Sequence, residues 1–384
     1  MKRIAHAAAA VAMLCQPPAV ASGQVPVGYQ PVDSDERGLW MVMAEEERRV
    51  RDSNFVIQDP ALNAYVRQVL CRTVGPRCAE VRIYLMRTPY FNASMAPNGM
   101  MQVWSGLFLR TRNEAQLAAV LAHEYTHYEE QHSLRIFRDV RDKSTVLSFL
   151  SLPLSILGGM AATTAAQFVT LATIFGFSRE NERAADRGSV TLLTRAGYDP
   201  AAAAAIWEGI EAEREAAAAA RGRSVRPEIA LFGTHPTSRA RMEELRAQAA
   251  AAPAGARESG EGPYQAALAG SWAMLVDDQI KLNDYGATEL LLTRLAADGW
   301  TGSLIYARAE LMRARGTADD LRHAEAWYQA AIVRPDAPAE ARRGLGLTLL
   351  RRGEVAAGRA AIASYLEHRP NASDGAMLRA MTGA

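Results

Sequence analysis

His123-Glu124-Tyr125-Thr126-His127 is the stretch from which the rest of the chain can be read. Residues four apart on a helix point the same way, so His123 and His127 can offer neutral imidazoles to one zinc ion. Glu124 lies between them and projects close to that metal, where a carboxylate can take a proton from water. The flanks predict a helix: Asn113 is a candidate N-cap, and Leu117, Val120 and Leu121 form an apolar stripe at helical spacing. A core helix that happens to carry two histidines is the plainer alternative. The chain has only 7 histidines in 384 residues, so two of them bracketing a glutamate at this spacing favour the metal centre.

A catalytic zinc takes three protein ligands and keeps a position for water or substrate. Ser178-Arg179-Glu180-Asn181-Glu182-Arg183-Ala184-Ala185-Asp186 predicts a second helix with Glu182 and Asp186 on one face. One carboxylate could ligate the metal while the other orients a histidine or assists proton transfer. On these residues alone an ordinary charged face, with Arg179, Arg183 and Arg187 as partners, is the better explanation.

A resemblance shifts that balance. H-E-x-x-H followed by S-R-E-N-E-x-x-A-D resembles the M48 family of zinc metallopeptidases, gluzincins whose third ligand is the Glu of E-x-x-A-D. The resemblance implies Glu182 as that ligand and places Asp186 beside it. Asn92-Ala93-Ser94-Met95-Ala96-Pro97-Asn98-Gly99 is similar to the family's N-A-F-A-x-P-G-G segment, and His132 falls where the family usually has histidine. Thr234-His235-Pro236 with Arg241 resembles its T-H-P…R segment. His235 is thereby an exposed loop residue, an oxyanion donor or a latch on the metal, and Arg241 an oxyanion contact or part of the latch. The similarity runs over about residues 33–250. Ser94-Met95, Asn98 and Ala184 depart from the family pattern and bear on substrate preference more than on zinc binding.

The fold class expected is mainly α (α+β): a gluzincin-type metallopeptidase domain over 22–250, with a small sheet beside the active-site helix. A linker at 251–262 and an α-helical domain of tetratricopeptide-like repeats over 263–384 follow. Val81-Arg82-Ile83-Tyr84-Leu85 alternates like a half-buried strand, and Met100 to Trp104 reads as a second one after the turn Pro97-Asn98-Gly99. In gluzincins an edge strand near the zinc holds an extended peptide, and residues 94–104 are the candidates. Pro335 and Pro370 close similar helical units, Leu345-Gly346 fits a repeat's first helix, and Trp327 and Ala330 fit a second. Stacked repeats of this kind present a concave surface to protein segments.

Net charge is +1 with 22% charged residues, which gives no footing for a nucleic-acid partner. Lys2 and Arg3 precede an apolar run from Ile4 to Leu14, and Ala19-Val20-Ala21 offers a cleavage site, so residues 1–21 read as a secretory signal. That export would place the protein in an oxidising periplasm, where Cys71 and Cys78, joined by a short Gly75-Pro76 turn, are expected to form a disulfide. The apolar stretch 145–177 is broken by Pro153 and Gly158-Gly159 and reads as a helical hairpin, with peripheral membrane contact as the sharper alternative. The expected activity is zinc-dependent endoproteolysis of protein or peptide substrates. The resemblance further implies outer-membrane proteins or their assembly machinery as partners, reached through the repeats. The competing class is a periplasmic chaperone whose zinc site is latched or vestigial.

Overall fold

The computed structural model describes residues 28–142, 177–222, 239–253, 255 and 257–382. The expected signal segment 1–21 lies outside them, as does the apolar stretch 145–177 apart from Phe177. No described helix is long and apolar enough to cross a membrane.

Helix α1 (Ser34–Arg51) starts at Asp33, whose carboxylate accepts from the Asp35 and Glu36 amides at 2.9 Å, with Asp35 and Glu36 in its first turn and Arg48, Arg49 and Arg51 in its last. Helix α2 (Pro60–Val74) is capped by Asp59 with Pro60 in its first turn, then tightens into a 3-10 turn, Gly75–Glu80. The expected Cys71–Cys78 disulfide clamps that turn.

The sheet has three strands in the order β1-β3-β2: β1 (Arg82–Met86), β2 (Ala93–Met95) and β3 (Met100–Trp104). β3 pairs parallel with β1, from Arg82 opposite Met100 to Met86 opposite Trp104, and antiparallel with β2. Residues 100–104 are therefore central in the sheet, and of the stretch 94–104 only the β2 end lies at an edge. All five β3 residues are buried.

Helix α3 (Ser105–Arg110) leads into α4 (Glu114–Glu129), which carries the H-E-x-x-H stretch. Asn113 caps α4 as expected, accepting from the Gln116 amide at 2.9 Å. Every residue from Glu114 to Tyr128 is buried, so α4 is the core helix of this part of the chain. Full burial of Leu117 and Leu121 contributes about 1.5–3 kcal/mol each. Helix α5 (His132–Asp142) follows, then α6 (Arg179–Ala196), capped by Ser178 and stopped by left-handed Gly197. Helices α7 (Ala202–Ala220) and α8 (Arg239–Ala251) complete this layer.

Eight further helices form an array: α9 (Glu261–Leu268), α10 (Trp272–Ile280), α11 (Tyr285–Leu295), α12 (Gly302–Arg315), α13 (Ala318–Ile332), α14 (Glu340–Arg351), α15 (Val355–His368) and α16 (Gly375–Thr382). Gly346, of the Leu345-Gly346 pair, lets α14 and α15 close on each other, since a Cβ there would sit 2.6 Å from Ile362. The segment expected as a linker is stitched down at its end. Glu258 exchanges backbone hydrogen bonds with Gly197 and Asp199, and the Ala115 amide donates to Ser259 at 2.9 Å. One hydrophobic core runs from Leu62 through Tyr264 and Trp272 to Ala341, and Arg87 pairs with Asp278 at 2.6 and 2.8 Å. The array is packed against the sheet-bearing part rather than hung from it.

Candidate metal centre

Four residues apart on α4, His123 and His127 bring their Nε2 atoms to 3.1 Å from each other. Glu182, in the first turn of α6, places one carboxylate oxygen 3.6 Å from His123 Nε2 and the other 3.5 Å from His127 Nε2. All three side chains are buried. Donors bound tetrahedrally at zinc distances stand about 3.4 Å apart, so these separations fit one small cation.

The outer nitrogens are also engaged. His123 Nδ1 is 3.1 Å from Asp186 Oδ1, and His127 Nδ1 is 2.9 Å from His132 Nδ1. Holding Nδ1 on each ring turns Nε2 inward, the arrangement that orients metal-binding imidazoles. Phe177 stacks on His127 with ring centroids 3.8 Å apart, while Trp207 meets His123 edge-on.

Charge gives a second test of fit. Glu124, Glu182 and Asp186 are nearly dry, at 4%, 2% and 3% exposure. Arg241 answers part of this: Nε and Nη2 donate to Asp186 at 2.6 and 2.8 Å, and Nη1 lies 2.7 Å from Glu182 Oε2. Three buried carboxylates face one guanidinium, an acidic excess that a bound cation would offset. Burial pushes the His123 pKa down, but hydrogen bonds and charge from Asp186 and Glu182 outweigh it, and the value is pushed up to about 9. Burial works against the Asp186 carboxylate too, yet Arg241 and His123 hold it below its ordinary value. His132 moves the other way, pushed down to about 4 by burial and by Arg135, so it faces His127 as a neutral ring.

The approach of α6 to α4 depends on a residue that sequence reading passed over. A Cβ at Gly188 would overlap the Thr126 side chain, and next to it Ser189 Oγ donates to the Ala119 carbonyl at 2.8 Å. A glycine inside a helix costs about 1 kcal/mol and calls for a packing reason, which is the signal that was available. Gly188→Ala is expected to cost about 1–3 kcal/mol through overpacking and to weaken zinc binding by moving Glu182. Thermal unfolding and zinc titration of the variant check both, and unchanged values in both would remove the close approach as a cause.

Of the seven residues singled out from sequence, the structure brings six together: His123, Glu124, His127, Glu182, Asp186 and Arg241. His235 lies outside the described residues. Arg241 pairs with the carboxylates of Asp186 and Glu182 and rests over the Trp207 ring at 4.8 Å.

Two histidines and a carboxylate around one point, with a glutamate beside them and oriented outer nitrogens, define the metallopeptidase class. The chain belongs to peptidase family M48, whose profile matches residues 56–249. It is similar to the beta-barrel assembly-enhancing protease of Escherichia coli K12, 32% identical over 212 residues that cover 53% of this chain and 42% of that protein. The protein of the same name from Yersinia pestis is 31% identical over 213 residues, with the same shares covered. Mitochondrial metalloendopeptidase OMA1 of Schizosaccharomyces pombe is 29% identical over 184 residues, 47% of this chain and 51% of that one. The matches thus span about two fifths to a half of these relatives' own length.

Proposed function

We propose that the protein is a zinc-dependent endopeptidase acting on protein substrates. The observation that carries the reading is the convergence of His123 Nε2, His127 Nε2 and the Glu182 carboxylate within 4.8 Å of one another. When bound there, zinc supplies Lewis-acid chemistry, polarising a peptide carbonyl and making a water easier to deprotonate. His123, His127 and Glu182 hold the ion from two helices. Asp186 fixes the His123 ring, and His132 does the same for His127. Glu124 takes the proton of the attacking water and returns it to the leaving amide nitrogen as the C–N bond breaks. β2, at the sheet edge, is the strand to which an extended substrate would add, in register with β3 behind it.

The name of the enterobacterial relatives ties them to β-barrel assembly, and we carry that association over as the proposed setting: quality control of envelope proteins in the periplasm. The Cys71–Cys78 disulfide supports an oxidising compartment. The helical array is the proposed client-binding part, built from tetratricopeptide-like pairs such as α12/α13 and α14/α15. Casein hydrolysis by the purified chain should stop in 1,10-phenanthroline and return with added zinc. Hydrolysis that persists through complete chelation would end the metallopeptidase reading.

A further inference from the structure

A partly open cavity lies at the seam between the peptidase fold and the helical array. It is a cavity of about 310 Å³, bounded by α3 and the turn after it, by α9 and α10, and by the start of α12. One part of its wall is apolar and rigidly held: Phe108, Tyr264, Leu268, Trp272 and Leu304 are all buried. Tyr264 donates to the Phe108 carbonyl at 2.8 Å and Trp272 Nε1 to the Ser303 carbonyl at 2.9 Å. On the α9 side, Gly262, Ala266 and Ala269 leave the space unfilled. Such a volume, with an aromatic wall on one side and polar and charged groups on the other, has the make-up of a ligand site. It is separate from the metal centre. Asn113, which caps α4 next to the lining residue Arg112, and His123 are ten positions apart, roughly 15 Å at helical rise.

The polar groups lining it say what it would accept. Glu261 and Asp336 are solvent-exposed carboxylates on this cavity, and neither has an ion-pair partner among the described residues. Glu261 accepts from the Gln265 amide at 3.0 Å, and Asp336 from the Ser303 backbone amide at 3.3 Å. The cation on the lining, Arg112, is matched by Asp298 at 3.1 Å. The balance is negative, which disfavours phosphates and carboxylates and favours a cation. An apolar wall with carboxylates where it meets solvent matches a side chain that has an aliphatic stem and a charged end.

We propose that this seam cavity binds a lysine or arginine side chain of an extended protein segment, its stem against Tyr264 and Trp272 and its cation on Glu261 and Asp336. The site is independent of peptide-bond chemistry and goes beyond the peptidase reading, so it can fail while that reading stands. The test is fluorescence anisotropy with the full chain carrying Glu124→Gln, which keeps the probe intact. The probes are fluorescein-labelled Gly-Leu-Lys-Leu-Gly and the same peptide with glutamate in place of lysine. The lysine peptide should bind saturably and at least tenfold more tightly than the glutamate one. Ala266→Trp, which fills the cavity, should weaken it at least tenfold. The paired surface change Glu261→Gln with Asp336→Asn should weaken it at least fivefold and abolish its salt dependence. Equal binding of the two peptides, no saturable binding, or full affinity in either variant overturns the proposal. Should Ala266→Trp fail to fold, the exposed double variant decides alone.

Discussion

Glu124→Gln is expected to lower peptide hydrolysis by about 10²- to 10⁴-fold, the range typical of a positioned general acid–base, while zinc stays bound. The amide keeps the shape of the side chain and the buried place on α4 but cannot accept a proton from water. Glu124 is not among the three donors that converge, so metal content should remain that of the wild type. Rates on a quenched fluorescent peptide, measured beside zinc content, separate the two effects. Near-wild-type hydrolysis would take Glu124 out of the reaction. Loss of zinc along with activity would make it part of the metal shell instead.

The second large effect concerns stability. Arg241 is 7% exposed and pairs with both Asp186 and Glu182. Arg241→Met keeps apolar volume over Trp207 but leaves two buried carboxylates without that cation. Removing one partner of a buried pair typically costs about 3–5 kcal/mol, and urea unfolding of the metal-free variant should show a loss of that size. Zinc brings the missing positive charge, so saturating metal should restore more stability to the variant than it adds to the wild type. A loss below about 1 kcal/mol in the metal-free protein would show that the carboxylates are neutralised in another way.

Much of this centre was legible in the sequence because helices repeat locally. His123, Glu124 and His127 needed only the four-residue spacing, and the Asn113 cap needed only the start of an apolar stripe. Glu182 was different. As a residue on a charged face it looked ordinary, and it took family resemblance to single it out, because the contact between α4 and α6 is long-range. Gly188, which permits that contact, carries no chemistry of its own to mark it. β2 is three residues long, too short for an alternating pattern to register. β3 was legible as Met100 to Trp104 from the turn before it, even though burial along its whole length removes the alternation that marks a half-exposed strand. The stretch before Glu261 has the glycines of a linker, yet Gly260 is needed because a Cβ there would stand 2.6 Å from Glu114. Composition could not distinguish a loose tether from a close fit.

The central claim is that two imidazoles and one carboxylate, from two helices, share a single ion. Zinc stoichiometry of the purified wild type, measured beside Glu182→Ala under the same dialysis, tests it most directly. The account predicts one zinc per chain in the wild type and a sharp fall in the variant, which keeps both histidines but only two of the three donors. One zinc retained in both proteins, or none in either, would contradict it.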